Sequence, residues 1–196
     1  MSTTVLIKEY SEPKISEKEI FRYIGASSDD ESVKALVNDA LSEVRAELSY
    51  RACYCELSLS VNEDICDFGI FKAQSRLLAK NLCGCSRALL FAATVGHSID
   101  RKIMKYGALS PSRSLAFQAI GSERVEALCD EFEREVSQCY KKTRPRFSPG
   151  YGDLSLEIQR EIFKALDPQK HLGIFLRESL VMAPSKSVTA FIGIAE

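Results

Sequence analysis

The sequence predicts a single α+β domain with a mainly antiparallel, twisted sheet and flanking helices. Apolar residues repeat with helical period in several segments, but they alternate with a period of two from Tyr50 to Val61. The run from Arg87 to Val95 is apolar on both faces and is typical of a central strand. Strand-like segments also follow one another closely in the chain, which favours antiparallel pairs over a doubly wound parallel sheet.

Length and charge bound the domain organisation and the function class. The 196 residues, 45% of them hydrophobic, suit one domain, with an N-terminal helical part at 1–49 and an α+β core at 50–196. The balance of 26 basic and 27 acidic residues gives no excess positive field, so nucleic acid is not an expected partner. No apolar run is long enough for a membrane span. The first residues do not resemble a signal peptide, so a cytoplasmic location is expected.

Two helices are predicted in the N-terminal part. Ser16 and Glu19 have capping-box spacing before a helix at about 17–24, which Gly25 can end. Residues 28–31 supply capping and acidic side chains at the start of a longer amphipathic helix. This N-terminal part is either a family-specific addition or a dimer contact.

The first half of the core mixes strands with short helices. The strand at 50–61 has one buried face and one more polar face. The remaining elements predicted in this half are an extended piece at 66–71, a helix at about 73–82, a central strand at 87–95 that ends at Gly96, and a short helix from Ser98 to Tyr106.

The second half begins with a long helix. Ser110 and Pro111 offer an N-cap and a first-turn proline, and the helical period continues to about Tyr140 with a bend at Gly121. An irregular loop follows at 144–152, because prolines and glycines interrupt the pattern. The last predicted elements are a helix at about 154–166 and a hairpin of strands 174–182 and 187–194 joined at 183–186.

Seven cysteines raise the question of a disulfide framework or a metal site. Their number is odd and no secretion signal is evident, which favours reduced thiols. Two Cys-x-Cys pairs occur, but zinc sites favour wider spacing, and His97 and His171 are isolated. We expect the cysteines to act as small buried hydrophobic residues, with a structural metal site as the alternative.

The loop at 144–152 is the best candidate site, because no familiar catalytic motif is present. Arg146 can present a bidentate fork to a carboxylate or phosphate. Gly150 permits close backbone approach to a flat ligand, and Tyr151 can stack on that ligand or cap it. The alternative is a surface turn with solvated arginines.

Three motifs in the same order resemble those of one family. Residues 146–151 resemble the Arg-x-x-Pro-Gly-Tyr motif of the activation domain of cobalamin-dependent methionine synthase, which binds S-adenosylmethionine. Residues 119–126 resemble the family's glycine-containing helix with a downstream acid, and 180–188 resemble its Met-x-Pro-x-x-Ser-Val segment. The turn at 94–96 also resembles stand-alone relatives, so the resemblance covers roughly residues 82–194.

The resemblance implies a set of binding residues. Arg146 would bind the carboxylate of S-adenosylmethionine, and the main chain at Ser148 and Gly150 would contact the adenine end. Glu126 would lie near the charged methionine moiety, with an exposed helix glutamate as the alternative reading. Tyr151 would cover the ligand or only shape the turn. The resemblance implies no catalytic residue and no metal ligand.

The resemblance also implies a function. The chain would be a stand-alone activation subunit that supports reductive methylation of cobalamin, a component of methionine synthase rather than a complete enzyme. Its partners would be the cobalamin-binding methionine synthase core and a flavodoxin-like or other electron donor. The alternative is a non-catalytic S-adenosylmethionine-binding module that regulates or scaffolds another corrinoid protein.

The chain departs from the family pattern at three points. Phe147 and Ser148 replace the family's Pro-Ala, and Gly152-Asp153 replace a stretch that often contains cysteine. Near the C-terminus, where the family often has a tyrosine, the sequence has Phe191 and Ile192. The cover over the ligand is therefore expected to differ there.

Overall fold

A computed structural model describes residues 4–27 and 29–195 of the chain, so Ser28 of the predicted helix start lies outside the described residues. The helices are α1 (Glu17–Ile24), α2 (Glu31–Val44), α3 (Arg76–Asn81), α4 (Ser98–Gly107), α5 (Pro111–Cys139), α6 (Gln159–Leu166) and α7 (Pro168–Leu172). The strands are β1 (Leu6–Tyr10), β2 (Tyr50–Ser58), β3 (Ser60–Asn62), β4 (Ile65–Asp67), β5 (Lys72–Gln74), β6 (Arg87–Thr94), β7 (Lys142–Thr143), β8 (Phe175–Leu176), β9 (Met182–Ala183) and β10 (Ser187–Ala195).

The central sheet has five strands in the order β1-β2-β6-β10-β7, and every neighbouring pair is antiparallel. β6 lies in the middle, as its apolar sequence predicts. Two smaller antiparallel sheets, β3-β4-β5 and β8-β9, stand beside it. The predicted α+β class with a mainly antiparallel sheet and flanking helices is confirmed.

Both faces of the central sheet are covered. Cys53, Leu90 and Phe191 face the side that carries α6 and α7, together with the β3-β4-β5 sheet. Tyr50 and Phe91 face the long helix α5 on the other side. The prediction that strand 50–61 has one polar face is therefore correct only for the second half of β2, because α5 covers the first residues of that face.

The N-terminal segment differs from the prediction of helices alone. Leu6–Tyr10 forms edge strand β1, which pairs with β2 from Tyr54 to Tyr50. Helix α1 ends at Gly25 in a left-handed conformation, as predicted. The predicted capping box is wrong: the side chain of Ser16 makes no cap hydrogen bond, and its backbone N–H donates to Glu123 Oε1 at 2.8 Å. A buried carboxylate from another helix replaces the local cap.

The predicted C-terminal hairpin is also wrong. Only Phe175–Leu176 and Met182–Ala183 form strands within the segment 174–182, and these two pair with each other. β10 instead pairs with β6 and β7. The segment between β8 and β9 instead forms a wall beside the first residues of β10.

Gly121 in α5 is a point of close helix packing. A Cβ atom there would lie 2.7 Å from Ile99 Cγ2 and 2.8 Å from Lys186 Cγ. Ile99 is completely buried and has no room to move. Gly121 was predicted to bend the helix, but its role is in packing. Because it has no side chain, α4 and the residue before β10 can approach α5 closely at this position.

We expect Gly121→Ala to lower the free energy of unfolding by about 1–3 kcal/mol, because overpacking outweighs the higher helix propensity of alanine. Gly107→Ala is the matched control, since no atom lies within 4 Å of its added Cβ. Urea unfolding of both variants tests this. Equal stability of the two variants would contradict it.

Glu43 in α2 links this helix to α4 and α5. Its carboxylate accepts hydrogen bonds from Arg113 Nη2 at 2.6 Å, Lys102 Nζ at 3.2 Å and Tyr106 OH at 3.0 Å. Burial alone would raise the pKa of Glu43, but these hydrogen bonds lower it to about 2. A carboxylate with a depressed pKa stabilises the fold above its unfolded pKa, and this contribution disappears as the pH falls toward the folded value.

We therefore expect wild-type stability to fall more steeply than that of Glu43→Gln as the pH drops from about 4.5 toward 2, the ordinary and folded pKa values of this group. Denaturant unfolding at several pH values measures the difference. Glu157→Gln, at an exposed position, is the control. The same acid sensitivity in all three proteins would contradict the role of Glu43.

Candidate functional site

A cavity of about 510 Å³ lies at the edge of the central sheet beside the first residues of β10. β7 pairs with β10 only at Ile194 and Ala195, and Phe147 forms an isolated bridge with Phe191. Among the described residues, β10 therefore has no strand neighbour on this side at Ser187–Thr189. The cavity is lined by Glu126, Arg146, Phe147, Ser148, Pro149, Tyr151, Leu156, Gln159, Leu180, Val181, Met182, Ser185, Ser187, Val188 and Thr189.

The first half of the loop at 144–152 is held against the sheet. Arg144 N donates to Gly193 O at 2.8 Å, and Phe147 exchanges two backbone hydrogen bonds with Phe191. Beyond this bridge the chain turns through Gly150, whose φ of 83° is in the left-handed region that favours glycine. Tyr151 packs edge-to-face on Phe147, with ring centroids 5.3 Å apart. The turn is thus fixed by backbone pairing and aromatic packing.

Asp153 anchors the far side of the turn. Its carboxylate accepts hydrogen bonds from the Ser75 hydroxyl, from Arg76 N at 2.8 Å and from Leu77 N at 3.2 Å, at the start of α3. Hydrogen bonding by Ser75, followed by these backbone groups, lowers the pKa of Asp153. The Gly152-Asp153 departure from the family pattern therefore supplies a fixed attachment between the loop and α3.

Arg146 lies in a group of carboxylates on α5. Its Nη2 donates to Glu126 Oε2 at 2.7 Å, and its Nη1 donates to Asp130 Oδ1 at 2.7 Å and also to Glu133. Its backbone N–H donates to the other oxygen of Glu133 at 2.6 Å. The side chain of Arg146 is 20% exposed, whereas that of Glu126 is 44% exposed. The guanidinium is held in place while two of its carboxylate partners, Glu126 and the 69% exposed Asp130, face solvent.

The electrostatics of this group favour a cationic ligand. Burial opposes the charge of Arg146, but hydrogen bonds with Asp130 and Glu126 raise its pKa above the ordinary value. With Arg146 protonated, one positive and three negative side chains leave this group with a formal charge of about -2. A ligand that carries both a carboxylate and extra positive charge complements such a group.

The opposite wall comes from the segment before β10. Leu180 has a φ of 64°, unusual for a residue with a side chain, and Val181 beside it is 52% exposed. Ala183 and Pro184 are joined by a cis peptide bond. This wall gives the cavity apolar lining residues, and Leu156 and Tyr151 line the same cavity.

Of the five residues predicted from the sequence, Glu126, Arg146, Ser148 and Tyr151 line the cavity. Gly150 does not line it, and its N–H donates to Leu154 O at 2.9 Å. Gly150 therefore shapes the turn, and its amide hydrogen is already used.

Four further residues belong to the site but were not predicted. Asp130 and Glu133 lie four and seven positions after Glu126, a spacing that places all three on one face of α5. Gln159 and Thr189 are buried side chains that line the cavity. The helical spacing is the signal that was available for the acids, whereas nothing local distinguishes Gln159 or Thr189.

Five of the seven cysteines are buried in the core, and none lines this site. All seven are free thiols, and only Cys83 and Cys139 are exposed. Burial raises the pKa of Cys53 to about 12 and the pKa values of Cys55 and Cys66 to about 11. Within residues 4–27 and 29–195, no group of three His, Cys, Asp or Glu side chains is arranged to hold a metal ion. No helix of that same part is long and apolar enough to span a membrane.

Fold and cavity together define an α+β domain with a ligand-sized site at the edge of an antiparallel sheet. No family model and no curated protein matches the chain. Among solved structures, the chain is similar to the MetH reactivation domain bound to AdoHcy, with a TM-score of 0.79 and 16% sequence identity. This similarity covers 97% of the chain and 78% of that structure. The chain has the fold of that reactivation domain.

The similarity also concerns the N-terminal part. Because it covers 97% of the chain, α1 and α2 fall largely within the shared fold, although the motifs resembled the family only from about residue 82. The shared fold thus extends into residues 1–49, and their role as a family-specific addition or a dimer contact stays a prediction. Their contacts with α5 explain why they belong to the shared fold.

Proposed function

We propose that the chain binds S-adenosylmethionine in the cavity beside the first residues of β10. Arg146 binds the ligand carboxylate, and Glu126 lies at the ammonium group. The main chain at Ser148 contacts the adenine end, Gly150 shapes the turn that presents it, and Tyr151 covers it. The observation that carries this proposal is the convergence of Glu126, Arg146, Ser148 and Tyr151 on one cavity.

The chemistry of the site supports this ligand. A volume of about 510 Å³ suits a ligand of this size. S-adenosylmethionine carries a sulfonium, an ammonium and a carboxylate, so the fixed guanidinium and the surrounding carboxylates match its charges. The apolar side chains of Leu156, Leu180 and Val181, which line the cavity, suit a flat aromatic base. The fold is shared with a domain whose solved structure holds AdoHcy.

We further propose that the chain is an activation subunit for a cobalamin-binding methionine synthase core. S-adenosylmethionine supplies a methyl group on its sulfonium, and an electron donor such as a flavodoxin-like protein supplies the electron for cobalamin reactivation. The residues of this chain hold and orient the methyl donor, an effect of proximity that requires no general acid or base from them.

A reactivation assay tests this role. A cobalamin-loaded methionine synthase core without its own activation domain is allowed to oxidise, and is then incubated with reductant, S-adenosylmethionine and this chain. We expect methyl transfer activity to return with the wild-type chain and not with Arg146→Ala. Binding of S-adenosylmethionine without any return of activity would contradict the activation role and would support a regulatory or scaffold module for another corrinoid protein.

A further inference from the structure

Gln159 places a buried amide at the wall of the cavity. It is the first residue of α6 and is 3% exposed. Its Oε1 accepts a hydrogen bond of 2.9 Å from the hydroxyl of Thr189, which is 2% exposed and lies on β10. Both residues line the cavity. A strand hydroxyl thus fixes the orientation of a helix amide at this position.

The nitrogen of the same amide lacks a protein partner. Among the described residues, Gln159 Nε2 donates to no acceptor, although a side-chain amide carries two N–H donors. This nitrogen is not one of the fully buried atoms that lack a partner, so it is accessible from the cavity, where water or a ligand can be its partner. Because Thr189 holds the oxygen, the nitrogen is the part of the amide left for the contents of the cavity. The site therefore presents an N–H donor in a fixed position, and a ligand with an acceptor at that position can form a hydrogen bond with it.

The position of Gln159 identifies the part of the ligand that it meets. Arg146 and Glu126 define the end of the cavity against α5. Gln159 lies on the other side of the sheet edge. It follows Leu156 by three residues, so the two side chains lie on the same side of the helical turn. Leu156 Cδ1 lies 3.4 Å from the position of a Cβ on Gly150, so this region adjoins the turn assigned to the adenine end.

We infer that Gln159 is a specificity-determining residue whose Nε2 donates to a ring nitrogen of the adenine, with Thr189 as the positioning residue that orients the amide. This inference rests on the proposed function, because it assumes S-adenosylmethionine in the cavity. Adenine offers unprotonated ring nitrogens as acceptors. A base analogue with carbon in place of the contacted nitrogen leaves the buried donor unpaired, which is the situation that costs most affinity.

The test compares S-adenosylhomocysteine with its 1-deaza, 3-deaza and 7-deaza analogues by calorimetric titration. The wild-type chain is expected to bind one of the three analogues about 10-fold more weakly than the parent compound. Gln159→Met keeps the length of the side chain without the amide. This variant is expected to bind the parent compound more weakly than the wild-type chain does, and to bind the parent compound and that analogue with equal affinity. Gln159→Glu keeps an acceptor for Thr189 without the amide donors and is expected to lose the same discrimination.

Thermal unfolding of each variant shows whether it is folded, and Gln169→Met, at an exposed glutamine on α7, is the matched control. The inference is overturned if the wild-type chain binds the parent compound and all three analogues equally well. It is also overturned if Gln159→Met and Gln159→Glu keep the wild-type discrimination. Failure of the wild-type chain to bind S-adenosylhomocysteine or S-adenosylmethionine at all would instead refute the proposed function, and this inference with it.

Discussion

Arg146→Ala is expected to weaken S-adenosylmethionine binding about 100-fold. The substitution removes a charged hydrogen-bonding group that contributes roughly 3 kcal/mol at most to one ligand group, and each 1.4 kcal/mol corresponds to a factor of about ten in affinity. It also leaves Glu126, Asp130 and Glu133 without their shared cation. The carboxylate of the ligand would then face only like charges. Calorimetric titration of the variant and the wild type measures the change.

Two further variants separate loss of the contact from loss of structure. Arg146→Lys keeps a cation among the carboxylates but lacks the planar fork, so we expect an intermediate loss of about 10-fold. Arg101→Ala removes an arginine that is 63% exposed, pairs with Glu47 and does not line the cavity, and it should leave affinity unchanged. Wild-type affinity in a folded Arg146→Ala would contradict the assignment of the carboxylate-binding role.

Arg124→Met is expected to cause the largest loss of stability, about 3–5 kcal/mol. Arg124 is completely buried in α5 and pairs with the neighbouring Glu123, which is 2% exposed. Its guanidinium also donates to Pro13 O at 2.7 Å and to Lys14 O at 2.9 Å. Removal of the cation leaves a buried carboxylate uncompensated and releases the segment before α1. For a chain of this size the melting temperature should fall by roughly 10 °C.

The controls for this prediction lie on the same helix. Arg134→Met removes an exposed arginine that pairs with Glu131, and it should change stability by no more than about 0.5 kcal/mol. The double variant Glu123→Gln/Arg124→Met should recover part of the loss, because it also removes the uncompensated charge. If Arg124→Met were as stable as Arg134→Met, the buried pair would not hold the N-terminal segment.

The main strands and the long helix were predictable because their patterns are strong and local. Strand β2 shows period two, β6 is apolar throughout, and Ser110-Pro111 marks the start of α5. Strand β1 was missed because five residues with two exposed apolar side chains carry little signal without the partner strand. The cap at Ser16 was misassigned because the competing acceptor, Glu123, is 107 positions away in the chain.

The candidate site was predictable as far as its motif extends. Arg146, Ser148 and Tyr151 lie within one loop, and the resemblance supplied Glu126. Acids on a solvated helix look alike in sequence, so only the return of the loop toward α5 distinguishes the carboxylates that contact Arg146 from those that do not. Burial of Gln159 depends on packing between α6 and β10, which no local pattern encodes.

The most direct test of the central claim is a calorimetric titration of the wild-type chain with S-adenosylmethionine. We predict saturable binding to one site per chain, competed by S-adenosylhomocysteine. If no binding appears up to about 1 mM, corresponding to an affinity of roughly 4 kcal/mol, the titration is repeated with the cobalamin-loaded core present. Absence of saturable binding under both conditions would contradict the assignment of this cavity to S-adenosylmethionine.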